Sequence, residues 1–266
     1  MHDAIKQAKQ MRYQSLFHSA QQENAFFNNR HHRVIATDEA IFFIETTKQK
    51  TYIYPAFNNV QGLKDAFLKL SSEKGLHDKV EIPLHLSDDA KVTLPFLIDC
   101  FAQAACTLID YNVAYKCTDL EAFKTIEVPI KTDCDYQVKQ VYHLVNSLLG
   151  AARFDMSETD FAAYLGKDTT TLHVYHEAKE VVGFVLGYTY NNDQSVFIHG
   201  LGVLPQHRRL GIARNLMLRF LKSHALKQVN SAMLWVEKHN EAAIKLYESL
   251  GFKLTKDEEA RMSYTF

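Results

Sequence analysis

The chain has 266 residues, of which 47% are hydrophobic and 23% charged, and its formal net charge is −1. This length accommodates one large domain or two ordinary ones, and the apolar content supplies a sizeable core. A nearly neutral chain gives no general reason to expect nucleic acid or an anionic membrane as a partner. We therefore expect neither, and assess each basic cluster as a separate site.

The cysteines and the N-terminal segment favour a cytoplasmic protein. No CxxC pair occurs, which favours buried thiols in a reducing compartment over metal ligands or disulfides. The opening MHDAIKQAKQMRYQSLF lacks the apolar stretch of a secretory signal, and no apolar run approaches the roughly 20 residues that cross a bilayer. The histidines show no metal-ligand spacing with a nearby carboxylate, so we expect no bound metal.

The first half predicts alternating helices and strands. A helical segment up to about residue 29 precedes a hairpin, in which AIFFIE and TYIYPA flank the polar turn TTKQK. The elements predicted after the hairpin are a helix from Val60 to Lys74, a strand in VEIPLHL, a helix from Leu94 to Leu108 and a strand in NVAYKC.

The second half starts near Thr118 and has a similar order of elements. A strand in TIEVPI, a helix from Tyr136 to Leu149 and a short helix capped by Ser157 come first. TLHVYH, VVGFVLGYTY and VFIHGLGV then predict three antiparallel strands. The remaining elements are a helix after QHRRLG, a strand in AMLWV, a helix in NEAAIKLYESLGF, a solvated turn in the mixed-charge run from Lys253 to Arg261, and a last strand in RMSYTF.

These elements predict an α/β (α+β) protein of two domains, residues 1–120 and 121–266. The second domain is predicted to be a mixed sheet flanked by helices. The order of elements suggests a duplicated plan, although no residue-level repeat connects the halves. The first domain is therefore either a decayed copy of the second or an unrelated α+β domain, and the order of elements favours the copy.

The decapeptide QHRRLGIARN, residues 206–215, concentrates positive charge and bare backbone at the predicted start of a helix. The first N–H groups of a helix have no intrahelical partner and attract anions. Gly211 and Ala213 leave the backbone accessible, and Arg208 and Arg209 carry charge suited to phosphate oxygens. The decapeptide therefore predicts either a pyrophosphate site or a capped surface helix with two solvated arginines.

The position of this loop excludes two common nucleotide-binding motifs. The loop follows the last strand of a meander instead of the first strand of a βαβ unit, and it lacks the Lys-Ser or Lys-Thr pair of a P-loop. The stretch Arg208–Ala213 instead resembles the R-x-x-G-x-A motif of the GNAT N-acetyltransferase superfamily. The segment NEAAIKLYESLGF, from Asn240 to Phe252, resembles the second signature of that family at the expected distance. The resemblance covers roughly residues 123–266.

The resemblance implies acetyl-CoA as the cosubstrate. Its pyrophosphate is expected on the N–H groups of the loop formed by Arg208, Arg209, Leu210, Gly211, Ile212 and Ala213. The strand VFIHGLGV is expected to splay from AMLWV, so that the backbone of Leu201 and Val203 binds the pantetheine arm. The Leu201 N–H is expected near the thioester carbonyl as an oxyanion donor. Asn240 is expected to bind the cofactor arm, to cap its helix, or to do both.

The resemblance also implies the proton donor and leaves the base open. Tyr247 stands where relatives use a tyrosine to protonate the leaving thiolate, the alternative being a core tyrosine. Many relatives have a glutamate where this chain has Phe197, which cannot accept a proton. His199, two residues further on, titrates near neutral pH and is one candidate base, with a purely structural histidine as its alternative. Glu237, acting through a water, is the second candidate.

We therefore predict N-acetyl transfer from acetyl-CoA to a primary amine of a small molecule by direct attack in a ternary complex, in a monomer or homodimer. No cysteine stands in the motifs to carry a covalent intermediate. The alternatives are a regulatory module that binds acyl-CoA without turnover and an acetyltransferase for a protein N-terminus or lysine. The first domain lacks the arginine-glycine loop and is expected to shape the acceptor site, together with loops around 153–156 and 191–194.

Overall fold

The computed structural model describes residues 2–14, 32–47, 50–86, 92–128, 136–150, 156–178, 180–190 and 194–266. The chain divides into two compact units, Met1–Val113 with Lys256–Phe266, and Ala114–Thr255. The first unit thus takes its last strand from the C-terminus, whereas the two domains predicted from the sequence are contiguous. The physical reason is strand pairing, because residues 259–265 form an antiparallel ladder with residues 79–85.

The first unit is a mixed sheet with helices. Its elements are α1 (His2–Ala8), β1 (Tyr13–Gln14), β2 (His32–Ala36), β3 (Ala40–Thr46), β4 (Thr51–Phe57), α2 (Val60–Ser71), β5 (Lys79–His85), α3 (Leu94–Gln103), the part of β6 (Thr107–Cys117) up to Val113, and most of β11 (Lys253–Thr265). The predicted hairpin of β3 and β4 is confirmed, with Ala40 opposite Phe57 and Thr46 opposite Thr51. Its core contains Phe42, Phe57, Phe67 and Phe101, which are at most 2% exposed.

Four sequence predictions differ from the structure. The first helix ends at Ala8, and residues 15–29 of that predicted helix lie outside the described residues. The helix predicted to Leu108 ends at Gln103, because Ala105 has a φ of +62° and β6 begins at Thr107. Over residues 125–128, TIEVPI forms no strand but follows a 3₁₀ turn, with the Ile126 N–H bonded to the Phe123 carbonyl. The mixed-charge run from Lys253 to Arg261 is strand, not turn.

The second unit is a sheet with helices on both faces. Its elements are the end of β6, α4 (Val138–Leu149), α5 (Glu158–Leu165), β7 (Thr170–Glu177), β8 (Glu180–Tyr190), β9 (Ser195–Val203), α6 (Ile212–Leu226), β10 (Ser231–Glu237), α7 (Glu241–Ser249) and the start of β11. The predicted antiparallel meander of β7, β8 and β9 is confirmed. Strand β10 pairs parallel to β9.

Each face of this sheet carries its own apolar layer. Helices α4 and α5 pack Val141, Val145 and Phe161 against Phe184 and Leu186 of β8. Helix α6 buries Leu216, Met217, Phe220 and Leu221 completely, as its sequence pattern predicts. Among the helices of the described residues, none is both long and apolar enough to span a membrane. The sheet and its flanking helices confirm the predicted mixed α+β fold.

Candidate functional site

Strands β9 and β10 separate after a short stretch of pairing. Residues Ser195 to Ile198 lie opposite Ser231 to Leu234, and within the described residues the pairing ends there, although the strands continue to Val203 and Glu237. Backbone groups on the facing edges beyond this point lack a ladder partner from the other strand. An extended ligand inserted there can form hydrogen bonds with these backbone groups as a further β-strand would.

A β-bulge accompanies this separation. Gly200 lies opposite Leu186 of β8, whereas Ile198 lies opposite Gly187, so His199 is the extra residue. A bulge redirects the side chains of its strand. Glycines make room beside it: a Cβ at Gly200 would lie 2.7 Å from Leu149 Cδ1, and one at Gly202 would lie 2.8 Å from Leu148 Cδ1. The end of α4 therefore closes directly over the diverging strands.

A cavity of about 550 Å³ fills the opening between the strands. Eleven of the twelve site residues predicted from the sequence line it, namely His199, Leu201, Val203, Arg208, Arg209, Gly211, Ile212, Ala213, Glu237, Asn240 and Tyr247. Leu210 is the one that does not, and it is 66% exposed. The structure thus brings together residues that lie between positions 199 and 247 of the chain, and we call this space the splay cavity.

The loop at one end of the splay cavity has an unusual backbone. Gly211 has a φ of +78° with no atom within 4 Å of an added Cβ, and Arg209 has a φ of +65°. Glycine is therefore favoured at position 211 by backbone conformation, not by crowding. The Arg208 Nε donates to the Val203 carbonyl at 3.0 Å, which ties the loop to the end of β9. Both Arg208 and Arg209 are exposed, but Arg208 is held by this hydrogen bond and is not simply solvated.

Helix α6 begins at this loop and points its free N–H groups toward it. Asn215 donates to the Gly211 carbonyl at 3.0 Å, which is the first bond of the helical pattern. The N–H groups of Ile212, Ala213 and Arg214 precede that bond, and a helix leaves such groups without an intrahelical partner. Together with the two arginines, they form a site of positive potential that suits a phosphate or pyrophosphate.

Helix α7 places Asn240 and Tyr247 on the wall of the splay cavity. The Asn240 Oδ1 accepts the Ala243 N–H at 3.2 Å, so this residue caps the helix. Tyr247 is only 7% exposed, and its ring centroid lies 6.0 Å from that of Phe252. Its ring therefore belongs both to the core and to the cavity wall, and packing restricts where its hydroxyl points.

The two candidate bases lie in different surroundings. Glu237 is exposed at the end of β10. His199 is half-buried, with ring centroids of Tyr164 and Phe197 at 6.1 and 6.3 Å. Tyr188 continues this aromatic group, with its ring centroid 5.4 Å from that of Phe197. Burial raises the pKa of Tyr164 to about 12, so its hydroxyl is neutral at physiological pH.

Several residues at this site were not predicted from the sequence. The one tryptophan of the chain, Trp235, lines the splay cavity, as does His207, whose Nδ1 lies 2.8 Å from Glu177 Oε2. The aromatic group could have been found from the alternation of Tyr188 and Tyr190 in β8 and of Phe197 and His199 in β9. Most of the predicted acceptor loops lies outside the described residues. The described residues contain no cluster of His, Cys, Asp or Glu able to hold a metal.

Comparison with known proteins relates this geometry to a family. Residues 138–252 match the model of the acetyltransferase (GNAT) family. A comparison with curated protein sequences finds no match.

Solved structures show a similar fold over most of the chain. A GCN5-related N-acetyltransferase from Sphaerobacter thermophilus is 13% identical with a TM-score of 0.58, covering 93% of this chain and 85% of that one. A protein of unknown function from Staphylococcus epidermidis is 14% identical with a TM-score of 0.56, covering 90% and 96%. A tandem GNAT protein from the clavulanic acid biosynthesis pathway is 12% identical with a TM-score of 0.52, covering 89% and 84%. At such low sequence identities, these solved structures show only a similar fold. The match to the family model, by contrast, includes both the loop before α6 and helix α7. Residues 138–252 are therefore a GNAT acetyltransferase domain.

Proposed function

We propose that the second unit transfers the acetyl group of acetyl-CoA to a primary amine of a small molecule by direct attack in a ternary complex. The observation that carries this proposal is the splay cavity, because its phosphate-binding loop, its open strand edges and Tyr247 line one space. When bound, acetyl-CoA supplies the thioester whose acyl carbon the amine attacks.

The residues of the splay cavity fit this cosubstrate. The N–H groups at the start of α6, with Arg208 and Arg209, suit the pyrophosphate. The backbone of Leu201 and Val203, on the open edge of β9, suits the amides of the pantetheine arm. Leu201 N–H is proposed as the donor that stabilises negative charge on the thioester oxygen. Asn240 adds a polar contact to the arm while it caps α7.

Tyr247 is proposed as the acid that protonates the departing thiolate. A thiolate leaves more readily when a proton donor stands beside it, and a neutral phenol can act in this way. Burial and contact with Phe252 hold the ring, which restricts the positions that its hydroxyl can take. Its placement on the cavity wall favours this role over that of a tyrosine that only fills the core.

His199 is proposed as the base that removes a proton from the amine. The bulge at His199 brings its side chain to the cavity wall, and an imidazole titrates in the range where an ammonium substrate must lose its proton. Glu237 is the alternative base through a water. The aromatic side chains beside His199 favour an acceptor whose amine is carried on an apolar body, because ring faces attract both ammonium groups and apolar surface.

The described cysteines do not suit a covalent acetyl-enzyme. Cys100, Cys106 and Cys117 are all free and buried. Burial raises the pKa of each thiol, that of Cys106 to about 12, which disfavours the nucleophilic thiolate. Direct attack by the amine is therefore favoured. Free thiols are also typical of a reducing compartment, so we propose a cytoplasmic location.

The first unit is proposed to be a decayed acetyltransferase copy that does not bind coenzyme. Its α2 is the counterpart of α6 in the shared order of elements, but the Asn59 side chain caps that helix by accepting the Gly62 N–H at 2.8 Å. A Cβ at Gly62 would lie 2.4 Å from the Glu39 Cβ, so this backbone is covered by protein. The likeness to a tandem GNAT protein supports the copy.

A screen of small amines with acetyl-CoA, following released thiol, tests the proposed activity. Turnover with a small amine supports the proposal, and turnover only with peptides would move the acceptor to a protein N-terminus or lysine. The second candidate function is a module that binds acyl-CoA without turnover, which Phe197 favours because no carboxylate stands at that position. Tight binding without turnover on any amine would establish this candidate.

A further inference from the structure

An aromatic group lies beside the splay cavity, on the sheet face that carries α4 and α5. It consists of Tyr164, Tyr188, Tyr190, Phe197 and His199, all of which are half-buried. Neighbouring ring centroids in the group are 5.4 to 6.5 Å apart, and the ring planes are inclined to each other by 47° to 78°. Rings at such angles do not cover one another's faces, so a planar ligand can pack on them.

Helices α4 and α5 leave part of this sheet face accessible. Phe184 and Leu186 of β8 are 0% exposed where they pack against the two helices. Alternate residues of a strand share a face, so Tyr188 and Tyr190 continue the same row, yet both are partly exposed. Phe197 of β9 lies opposite Tyr188 and shares this face. The apolar layer therefore continues beyond the buried part of β8 as an aromatic surface that a ligand can reach.

His199 connects the aromatic group with the splay cavity, because it belongs to the group and also lines the cavity. The ring centroids of Tyr164 and Phe197 lie 6.1 and 6.3 Å from that of His199. An acceptor whose amine reaches His199 from this side places the atoms next to its amine against these two rings. A body carried on a short chain can therefore contact the aromatic group while its amine enters the splay cavity.

The charges around the aromatic group favour an uncharged body on the acceptor. The Lys167 ammonium lies 5.8 Å from the centroid of the Tyr164 ring, and it would repel a second cation there. Burial raises the pKa of Tyr164 and of Tyr188, so neither hydroxyl supplies a negative charge at physiological pH. Among the described residues that line the splay cavity, Glu237 on β10 is the one carboxylate. A second ammonium on the acceptor is therefore disfavoured, whereas an apolar ring is not.

We propose that the acceptor is a primary amine joined by a short chain to an uncharged aromatic ring, and that the aromatic group selects it by packing against this ring. The inference rests on the proposed acetyl transfer and narrows its small-molecule acceptor to one chemical class. Tyr188 stands at the centre of the group, with Tyr164, Tyr190 and Phe197 as its ring neighbours. Selection should therefore depend most on Tyr188.

Acetylation of phenethylamine and of its saturated analogue cyclohexylethylamine by the full chain tests the inference. An aromatic pair contributes beyond its buried area, so the ratio of kcat/KM for phenethylamine to that for cyclohexylethylamine should fall about three- to tenfold in Tyr188→Leu. The fall should come chiefly from a higher KM for phenethylamine. The difference in basicity between the two amines cancels when this ratio is compared between variant and wild type.

Tyr175→Leu is the matched control for this substitution. Tyr175 is also a half-buried tyrosine of the same sheet, but it follows Val174, which packs in the layer of α4 and α5, so its side chain lies on the opposite face. It does not line the splay cavity. Tyr175→Leu should therefore keep the wild-type ratio.

A second pair of amines tests the charge of the body. The wild type should acetylate hexylamine at least about threefold more efficiently than hexamethylenediamine, because the second ammonium of the diamine would have to lie on the aromatic group without a carboxylate partner. Equal or better turnover of the diamine would refute an uncharged body.

The remaining outcomes separate this inference from the proposed function. An unchanged ratio in a Tyr188→Leu variant that thermal melting shows to be folded would refute the inference, and Phe197→Leu, which removes a neighbouring ring, takes its place if that variant does not fold. If ethylamine is acetylated but phenethylamine is not, the inference is wrong and acetyl transfer stands. If acetyl-CoA binds and no amine is acetylated, the proposed function itself is wrong.

Discussion

The phosphate-binding role of the loop before α6 is tested by two substitutions of nearly equal size at Gly211. Asn and Asp both tolerate a positive φ better than other side chains, so either should accept the φ of +78° at a similar cost in stability. No atom lies within 4 Å of an added Cβ, so neither side chain meets a clash in the free protein. The two variants therefore differ essentially in one negative charge.

The magnitude follows from the position of that charge. A carboxylate on Gly211 stands at the loop where the pyrophosphate is expected, and two charges about 5 Å apart interact by about 0.8 kcal/mol in water and about 3 kcal/mol at an effective dielectric constant of 20. Gly211→Asp should therefore bind acetyl-CoA at least about tenfold more weakly than Gly211→Asn, a difference of about 1.4 kcal/mol.

Calorimetric titration at low and high salt measures this difference, with thermal melting as the control for folding. The charge effect should shrink as salt rises. If the Asp and Asn variants, both folded, keep the affinity of the wild type, no phosphate lies at this loop. Equally large losses in both would show that the side chain blocks the ligand sterically and that charge contributes little.

Three further predictions concern the base, the helix caps and a buried histidine. His199→Gln should flatten the rise of turnover with pH near an ordinary histidine pKa of about 6.5, whereas an unchanged profile would make Glu237 the better candidate, to be tested by Glu237→Gln. Asn59→Ala and Asn240→Ala each remove a helix cap and should lower stability by about 1 kcal/mol. Only Asn240→Ala should weaken acetyl-CoA binding in calorimetry. A loss of affinity in both variants would contradict the proposal that only the second unit binds coenzyme. Burial lowers the pKa of His224 to about 4, so between about pH 6.5 and 4 the unfolded chain binds a proton that the folded chain does not, and the free energy of unfolding falls on acidification by about 2–3 kcal/mol. The melting temperature of His224→Gln should therefore depend less on pH over this range. An unchanged dependence would refute the lowered pKa of His224.

The site could be predicted from the sequence because its chemistry depends on local backbone. The glycine at position 211, the arginines before it and the helix after it specify a turn and a helix start within ten residues. The meander of β7, β8 and β9 was also evident, since each strand is an apolar run ended by polar turn residues. The bulge at His199 was not evident from the sequence, because strand register depends on the partner strand as well as on the sequence of β9.

The boundary of the first unit could not be found in the same way. The run from Lys253 to Arg261 mixes charges without a clear apolar pattern, which is typical of a solvated turn. In the structure it is strand, and Arg261 is paired with Asp110, which is 7% exposed. Burial of charge is tolerated there because each partner satisfies the other. Such pairing joins residues far apart in the chain, and neither composition nor periodicity contains that information.

Acid catalysis by Tyr247 is the most direct test of the claim that the splay cavity transfers an acetyl group. Single-turnover and steady-state rates of thiol release should be measured for Tyr247→Phe with a productive amine, alongside the acetyl-CoA affinity. Tyr111→Phe, whose parent hydroxyl donates to Glu258 Oε2 within the first unit, is the control. The account predicts a fall in kcat of about a hundred- to ten-thousandfold with little change in Kd for Tyr247→Phe, and no such fall for the control. A Tyr247→Phe variant that releases thiol at the wild-type rate would contradict it.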